Sequence, residues 1–150
     1  MKTKCTVGYH FYTLDTWLHR LIKISTGYRI SHVLVSVETE SIRLYYDCTW
    51  GVLSDWYTDL SPYNSPSHSL HEYLDIDLDM LDMLLPKGEH YSAWKVVSNL
   101  LCGYPRSPSS CVSSVHRLRF LCGKPTKGRS PGAVYKYLRK ELCSSTRTTG

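Results

Sequence analysis

The chain has 150 residues, of which 42% are hydrophobic and 21% charged, as expected of one globular domain with its own core. No apolar run approaches the roughly 18 residues that a transmembrane helix needs. No apolar segment follows Lys2 and Lys4, which argues against a signal peptide. We therefore expect a single domain, residues 1–150, in the cytoplasm, with its six cysteines as reduced thiols.

The net charge of +5 is unevenly distributed along the chain. Residues 1–50 carry +2 and residues 51–100 carry −6, whereas residues 101–150 have ten basic residues against one acidic, or +9. Such a segment either forms a solvated basic surface or attracts phosphates and acidic partners. The sequence favours the solvated surface. The alternative, a module that binds nucleic acid or an acidic protein, would depend on Arg117, Arg119, Lys124, Lys127 and Arg129.

The first predicted element is a helix in "TLDTWLHRLIKISTG". Its apolar residues recur at helical spacing, which predicts a stripe that faces a core. Thr13 or Asp15 is suited to cap the start, and Gly27 to end the helix in a left-handed conformation. The members of the stripe are Leu14, Trp17, Leu18, Leu21 and Ile22.

Two alternating segments follow, "SHVLVSVE" and "SIRLYYDCTW", and only a short turn separates them, so they predict an antiparallel hairpin. Pairing Val37 with Ile42 and Val35 with Leu44 joins apolar partners across the hairpin. In that register His32 lies directly opposite Asp47, at a distance that suits a contact from Nδ1–H to the carboxylate. A histidine at the start of an apolar strand thereby gains an acidic partner.

The rest of the chain predicts one strand and several helices. Residues 54–69 are rich in Ser, Pro, Asn and Asp and predict a loop. "LHEYLDIDLD" alternates like a strand, and "MLDMLLPKG" predicts a short helical turn that ends before Pro86. Helices are predicted over 92–103, over 110–123 with Gly123 as a stop, and over 133–143, with a frayed end at about 144–150.

Cys111 falls at the predicted start of a helix, after Ser109 and Ser110, which are good capping residues. Unpaired N–H groups and the helix dipole favour a thiolate there. With His32 and Asp47, this cysteine completes a set suited to nucleophilic catalysis. The backbone N–H of Cys111 is a candidate donor to an oxyanion.

The sequence gives no support for a metal or a nucleotide cofactor. The cysteines form no Cys-x-x-Cys pair, as a structural zinc site would require. "DIDLDM" starts like a calcium loop, but Met80 and Pro86 occupy the positions that need Gly and Glu. There is no glycine-rich phosphate loop. We expect neither cofactor nor metal.

Three segments together resemble the circularly permuted papain-like cysteine hydrolases, the NlpC-type group that includes YiiX-like proteins and relatives of lecithin retinol acyltransferase. They are "STGYRISHVLVSVE", "RLYYDCTWGV" and "SPSSCVSSVHRL", and the similarity spans roughly residues 8 to 142. The order histidine, acid, cysteine is the permuted one. The compact size and basic tail are similar to bacteriophage-encoded members of that group.

The resemblance implies an α+β, papain-like, circularly permuted fold, with a small antiparallel sheet packed against helices. It implies Cys111 as nucleophile, His32 as base and Asp47 as the orienting acid, in a position where the group more often has Glu. The substrate would be an amide, isopeptide, ester or thioester in a peptide, protein or lipid. Candidates to line the cleft, or else to lie in an aromatic core, are Tyr28, Tyr46, Trp50 and Trp56. A papain-like scaffold that binds without catalysis is the alternative.

Overall fold

The computed structural model describes residues 1–48, 54–58, 63, 65–88, 94 and 111–145. Within them the chain has an α+β fold, with one five-stranded antiparallel sheet and four α-helices. This confirms the predicted fold class at that level. Of the predicted helix over 92–103 only Trp94 is described, and the predicted capping residues Ser109 and Ser110 lie outside the described residues.

The sheet has the order β4-β3-β2-β1-β5. Strand β1, which lies between β2 and β5, was not predicted from the sequence. It pairs antiparallel with β2 on one side and with β5 on the other. The strands are β1 (Lys2–Tyr12), β2 (His32–Glu38), β3 (Arg43–Asp47), β4 (Asp55–Tyr57) and β5 (His68–Asp77). The short strand β4 lies in a segment that was predicted to be a loop.

The helices are α1 (Trp17–Thr26), α2 (Leu81–Leu84, after a 3-10 turn at Leu78–Met80), α3 (Cys111–Leu121) and α4 (Pro131–Ser145). Gly27 and Gly123 end α1 and α3 as predicted, with φ of 73° and 69°. The start of α1 was predicted wrongly, because the capping residue is Thr16, whose hydroxyl accepts from the N–H of His19.

One face of the sheet packs against α3 and α4 and forms the main core. Alternate residues of β1, β2 and β5 point to this side, where the apolar side of α3 covers them. The predicted apolar stripe of α1 is narrower than expected, since Trp17 and Leu21 are exposed. The core residues that carry this packing include Val7, Tyr9, Phe11, Val33, Val35, Leu74, Ile76, Val112, Val115, Leu118, Val134 and Leu138.

Candidate active site

The hairpin of β2 and β3 forms, but its register differs by two residues from the predicted one. Val37 pairs with Leu44, and the last pair is Glu38 with Arg43. The turn explains the shift. The hydroxyl of Thr39 accepts from the N–H groups of Ser41 and Ile42, and Glu38 forms an ion pair with Arg43. These contacts place the four-residue turn at residues 39–42, one residue later than the Glu38–Ser41 turn that the prediction assumed.

His32 and Asp47 nevertheless meet, because a shift by two residues leaves every side chain on its original face. The contact runs along a diagonal of the hairpin instead of straight across. His32 Nε2 lies 2.8 Å from Asp47 Oδ1, and both side chains are buried. The ring nitrogen is not the predicted one: Nε2, and not Nδ1, donates to the carboxylate.

Asp47 is further held by Tyr63, whose hydroxyl donates to Oδ2 at 2.7 Å. Burial raises the pKa of Asp47. The hydrogen bond and charge of His32, the hydroxyl of Tyr63 and the backbone N–H of Cys48 outweigh burial and hold this pKa below its ordinary 3.8. Asp47 is therefore an ionised partner for His32 at neutral pH.

The charge state of His32 follows from the same contacts. Burial lowers its pKa, but the hydrogen bond and charge of Asp47, together with the thiol of Cys111, raise it from 6.5 to about 10. Nδ1 has no hydrogen-bond partner of ordinary geometry among the described residues, yet the Cys111 thiol is close enough to act on the ring. The imidazole thus lies between a carboxylate and a thiol.

Cys111 is the first residue of α3, and its side chain is only 4% exposed. Its sulfur lies at the end of the helix where the N–H groups have no intrahelical acceptor and the dipole is positive. The structure therefore brings together all three predicted residues, although they are 15 and 64 positions apart in sequence.

Three further side chains complete the site, and none was predicted from the sequence. Tyr12, on the unpredicted strand β1, pairs with His32 across the sheet. His19 of α1 is edge-on to His32, with ring centroids 5.8 Å apart, and Tyr63 is 5.4 Å from His32 by the same measure. The alternation of Cys5, Val7, Tyr9 and Phe11 is the signal that could have revealed β1, and with it Tyr12.

The aromatic residues predicted to line a cleft lie elsewhere or are not described. Tyr46 is a core residue, 1% exposed, and its hydroxyl donates to the carbonyl of Pro86. Trp56 packs against Tyr46 and lines a cavity of about 410 Å³ with Val37 and Leu81. Tyr28 packs on Gly132 at the start of α4. Trp50 lies outside the described residues.

The predicted basic surface is partly wrong, because Arg119 is fully buried and paired with Glu72. Lys124 also pairs with Glu72, and Arg117 donates to the carbonyl of Leu84. Burial and internal pairing withdraw these cations from a common binding face. Of the five proposed residues, Lys127 and Arg129 are exposed.

Within the described part of the chain, no group of three or more His, Cys, Asp or Glu side chains is arranged to hold a metal ion. The helices described there are all too short or too polar to cross a membrane. Comparison with protein-family models, curated proteins and solved structures finds no match to this chain.

Proposed function

We propose that the protein is a cysteine-dependent hydrolase or acyltransferase, with Cys111 as nucleophile, His32 as base and Asp47 as the acid that orients His32. The observation that carries this proposal is the state of His32. This fully buried imidazole bonds to Asp47 through Nε2 and leaves Nδ1 to the thiol of Cys111. A nucleophile, a base and a third group that orients the base are what thiol catalysis requires.

The reaction follows from the positions of these groups. Nδ1 of His32 already holds the proton of Cys111 at neutral pH, because the pKa of His32 is raised to about 10, and the charge of Asp47 stabilises this imidazolium beside the thiolate. The thiolate sulfur bonds to the carbonyl carbon of an amide, ester or thioester, and the C=O electron pair moves to oxygen. The tetrahedral species expels the leaving group, which takes the proton from His32. Water or another acceptor then releases the acyl group from Cys111.

The arrangement also supports a circularly permuted papain-like fold. The nucleophile begins a helix that packs against an antiparallel sheet, and the base begins a strand of that sheet. The chain order of histidine, acid and cysteine is the permuted order. A scaffold that binds without catalysis would share this fold, so activity is the property that distinguishes the two.

An activated ester tests the proposal, because its acyl group stays on the nucleophilic sulfur. We expect p-nitrophenyl acetate to give a burst of p-nitrophenolate and an acetyl group on the peptide that contains Cys111. Cys111→Ala should abolish both, and Cys143→Ala, which removes an exposed thiol, should leave both unchanged. An equal burst from wild type and Cys111→Ala would refute the proposal and favour a binding scaffold.

A further inference from the structure

A cysteine acyl transferase needs donors for the oxyanion that forms on the substrate carbonyl. The backbone N–H of Cys111 is one candidate, because the first N–H groups of a helix have no intrahelical acceptor. The site must supply a second donor near the histidine and the cysteine. His19 is the candidate, because its buried ring packs against His32 and has an unpartnered nitrogen among the described residues.

His19 is buried beside His32, at 2% exposure, and one of its ring nitrogens is unused. Nδ1 lies 2.6 Å from the hydroxyl oxygen of Thr16, while Nε2 has no hydrogen-bond partner among the described residues. The two nitrogens lie on different edges of the ring, so Nε2 points away from Thr16 and the helix start. A buried polar atom without a partner is costly unless a ligand completes it.

Thr16 determines which nitrogen of His19 carries the proton. Its oxygen accepts the backbone N–H of His19 at 3.5 Å and lies 2.6 Å from Nδ1 of that residue, and we assign its hydroxyl as the donor to Nδ1. Burial, followed by the charges of His32 and Lys23, lowers the pKa of His19 to about 4. The ring is therefore neutral, with Nδ1 as acceptor and an N–H at Nε2.

Resting on the function proposed above, we infer that the Nε2–H of His19 is a second oxyanion donor of this site. In the step that uses it, the sulfur of Cys111 bonds to the carbonyl carbon, and the electron pair that moves to oxygen is stabilised by this N–H. When the leaving group departs with its bonding electrons, the C=O bond forms again and the hydrogen bond weakens. Thr16 is a positioning residue that holds the required tautomer.

Two reagents separate this role from a structural one. p-Nitrophenyl acetate passes through an oxyanion, whereas iodoacetamide alkylates the same sulfur by displacement of iodide and forms none. We expect His19→Leu to slow acetylation of Cys111 about 100-fold, the usual effect of losing one donor, and to leave its alkylation rate unchanged. His19→Gln, which keeps an N–H donor, should retain part of the acetylation.

Two substitutions of Thr16 provide a second test, with a smaller expected effect on acetylation. Thr16→Val should lower the ratio of acetylation to alkylation, and Thr16→Ser, which keeps the hydroxyl, should preserve it. Because the ratio is taken on one sample, partial loss of fold lowers both rates and leaves it unchanged. An unchanged ratio in His19→Leu and Thr16→Val overturns the role of His19 alone. Failure of the wild type to acetylate at Cys111 overturns the proposed function as well.

Discussion

Helix α3 has a buried ion pair near each end. His32 and Asp47 lie near its start at Cys111, and Arg119, near its end, pairs with Glu72. The two pairs differ in how many of the surrounding polar atoms have hydrogen-bond partners. Arg119 has an acceptor for each of its five N–H groups. Nε and Nη2 donate to Glu72, Nη2 also to Glu141, and Nη1 to Thr126 and the carbonyl of Pro125. Tyr9 and Lys124 donate to Glu72 from the other side.

The other end of α3 has Cys111, and around it the hydrogen bonding is incomplete. Among the described residues, buried polar atoms without a partner include Tyr12 Oη, His19 Nε2 and His32 Nδ1. One of these atoms belongs to His32, and the other two belong to rings that pack against it. Each costs free energy in the unliganded protein.

The difference separates a structural network from a site. A buried network in which every polar atom is hydrogen-bonded stabilises one conformation and has no donor or acceptor left for a ligand. Unsatisfied polar atoms that cluster beside a nucleophile are what a substrate would complete. On this basis we expect the end of α3 at Cys111 to act in function and the end at Arg119 to act in folding.

Breaking the structural network should have the largest effect on stability. We expect Arg119→Ala to lower the free energy of unfolding by about 3–5 kcal/mol, because Glu72 stays buried with most of its partner charge gone. Urea denaturation measures this, with the exposed Arg139→Ala as control, expected within about 0.5 kcal/mol of wild type. Equal midpoints for the two variants would show that the network contributes nothing to stability.

Asp47→Asn should have a smaller effect that depends on pH, since His32, unlike arginine, can release its proton. The raised pKa of His32 means that the pair contributes fully below pH 6.5 and is lost as pH rises toward about 10. The lowered pKa of Asp47 means that the pair is lost only as pH falls below 3.8.

The destabilisation by Asp47→Asn should therefore be about 1.5–3 kcal/mol near pH 5 and decrease at higher pH. Urea unfolding at pH 5, 7 and 9 measures it, and the exposed Asp75→Asn provides the control. A destabilisation that grows with pH would contradict a charged His32 in the folded protein.

Tyr9 and Tyr12 allow the finest comparison, because they lie three residues apart on β1 and both are buried. The hydroxyl of Tyr9 donates to Glu72 at 2.7 Å, whereas that of Tyr12 has no hydrogen-bond partner in the described part of the chain. We expect Tyr9→Phe to cost about 1 kcal/mol and Tyr12→Phe to lie within about 0.5 kcal/mol of wild type. Equal losses in thermal or urea unfolding would mean that the Tyr12 hydroxyl is satisfied in solution.

The sequence predicted the contact between His32 and Asp47 better than the register of the strands that carry them. Alternation assigns a face to each residue of β2 and β3, and this alone brings His32 to the side of Asp47 whether the register is right or two residues off. Register itself was missed because it depends on side-chain bonds of Thr39 in the turn, which the apolar pattern does not report.

Other features depend on contacts between distant segments. Arg119 looked like a surface cation because a local pattern cannot show that Glu72, 47 residues away, lies beneath it. Tyr12 was missed with its strand, since lysines and threonines alternate with the apolar residues of β1 and obscure its burial. The position of His19 in the sequence places it on the core-facing side of α1. Only the packing of α1 in the folded protein shows that its neighbour is His32.

The most direct test of the central claim compares alkylation rates of the cysteines in the native protein at pH 6. Iodoacetamide in brief pulses, followed by peptide mass spectrometry, reports each thiol separately. If His32 holds Cys111 as a thiolate, Cys111 should react before Cys143, although it is 4% exposed and Cys143 lies on the surface. Cys5, whose pKa is raised by burial, should stay unmodified. In His32→Ala, Cys111 should no longer be alkylated before Cys143. Reaction of Cys143 first, with Cys111 modified only after unfolding, would contradict the account.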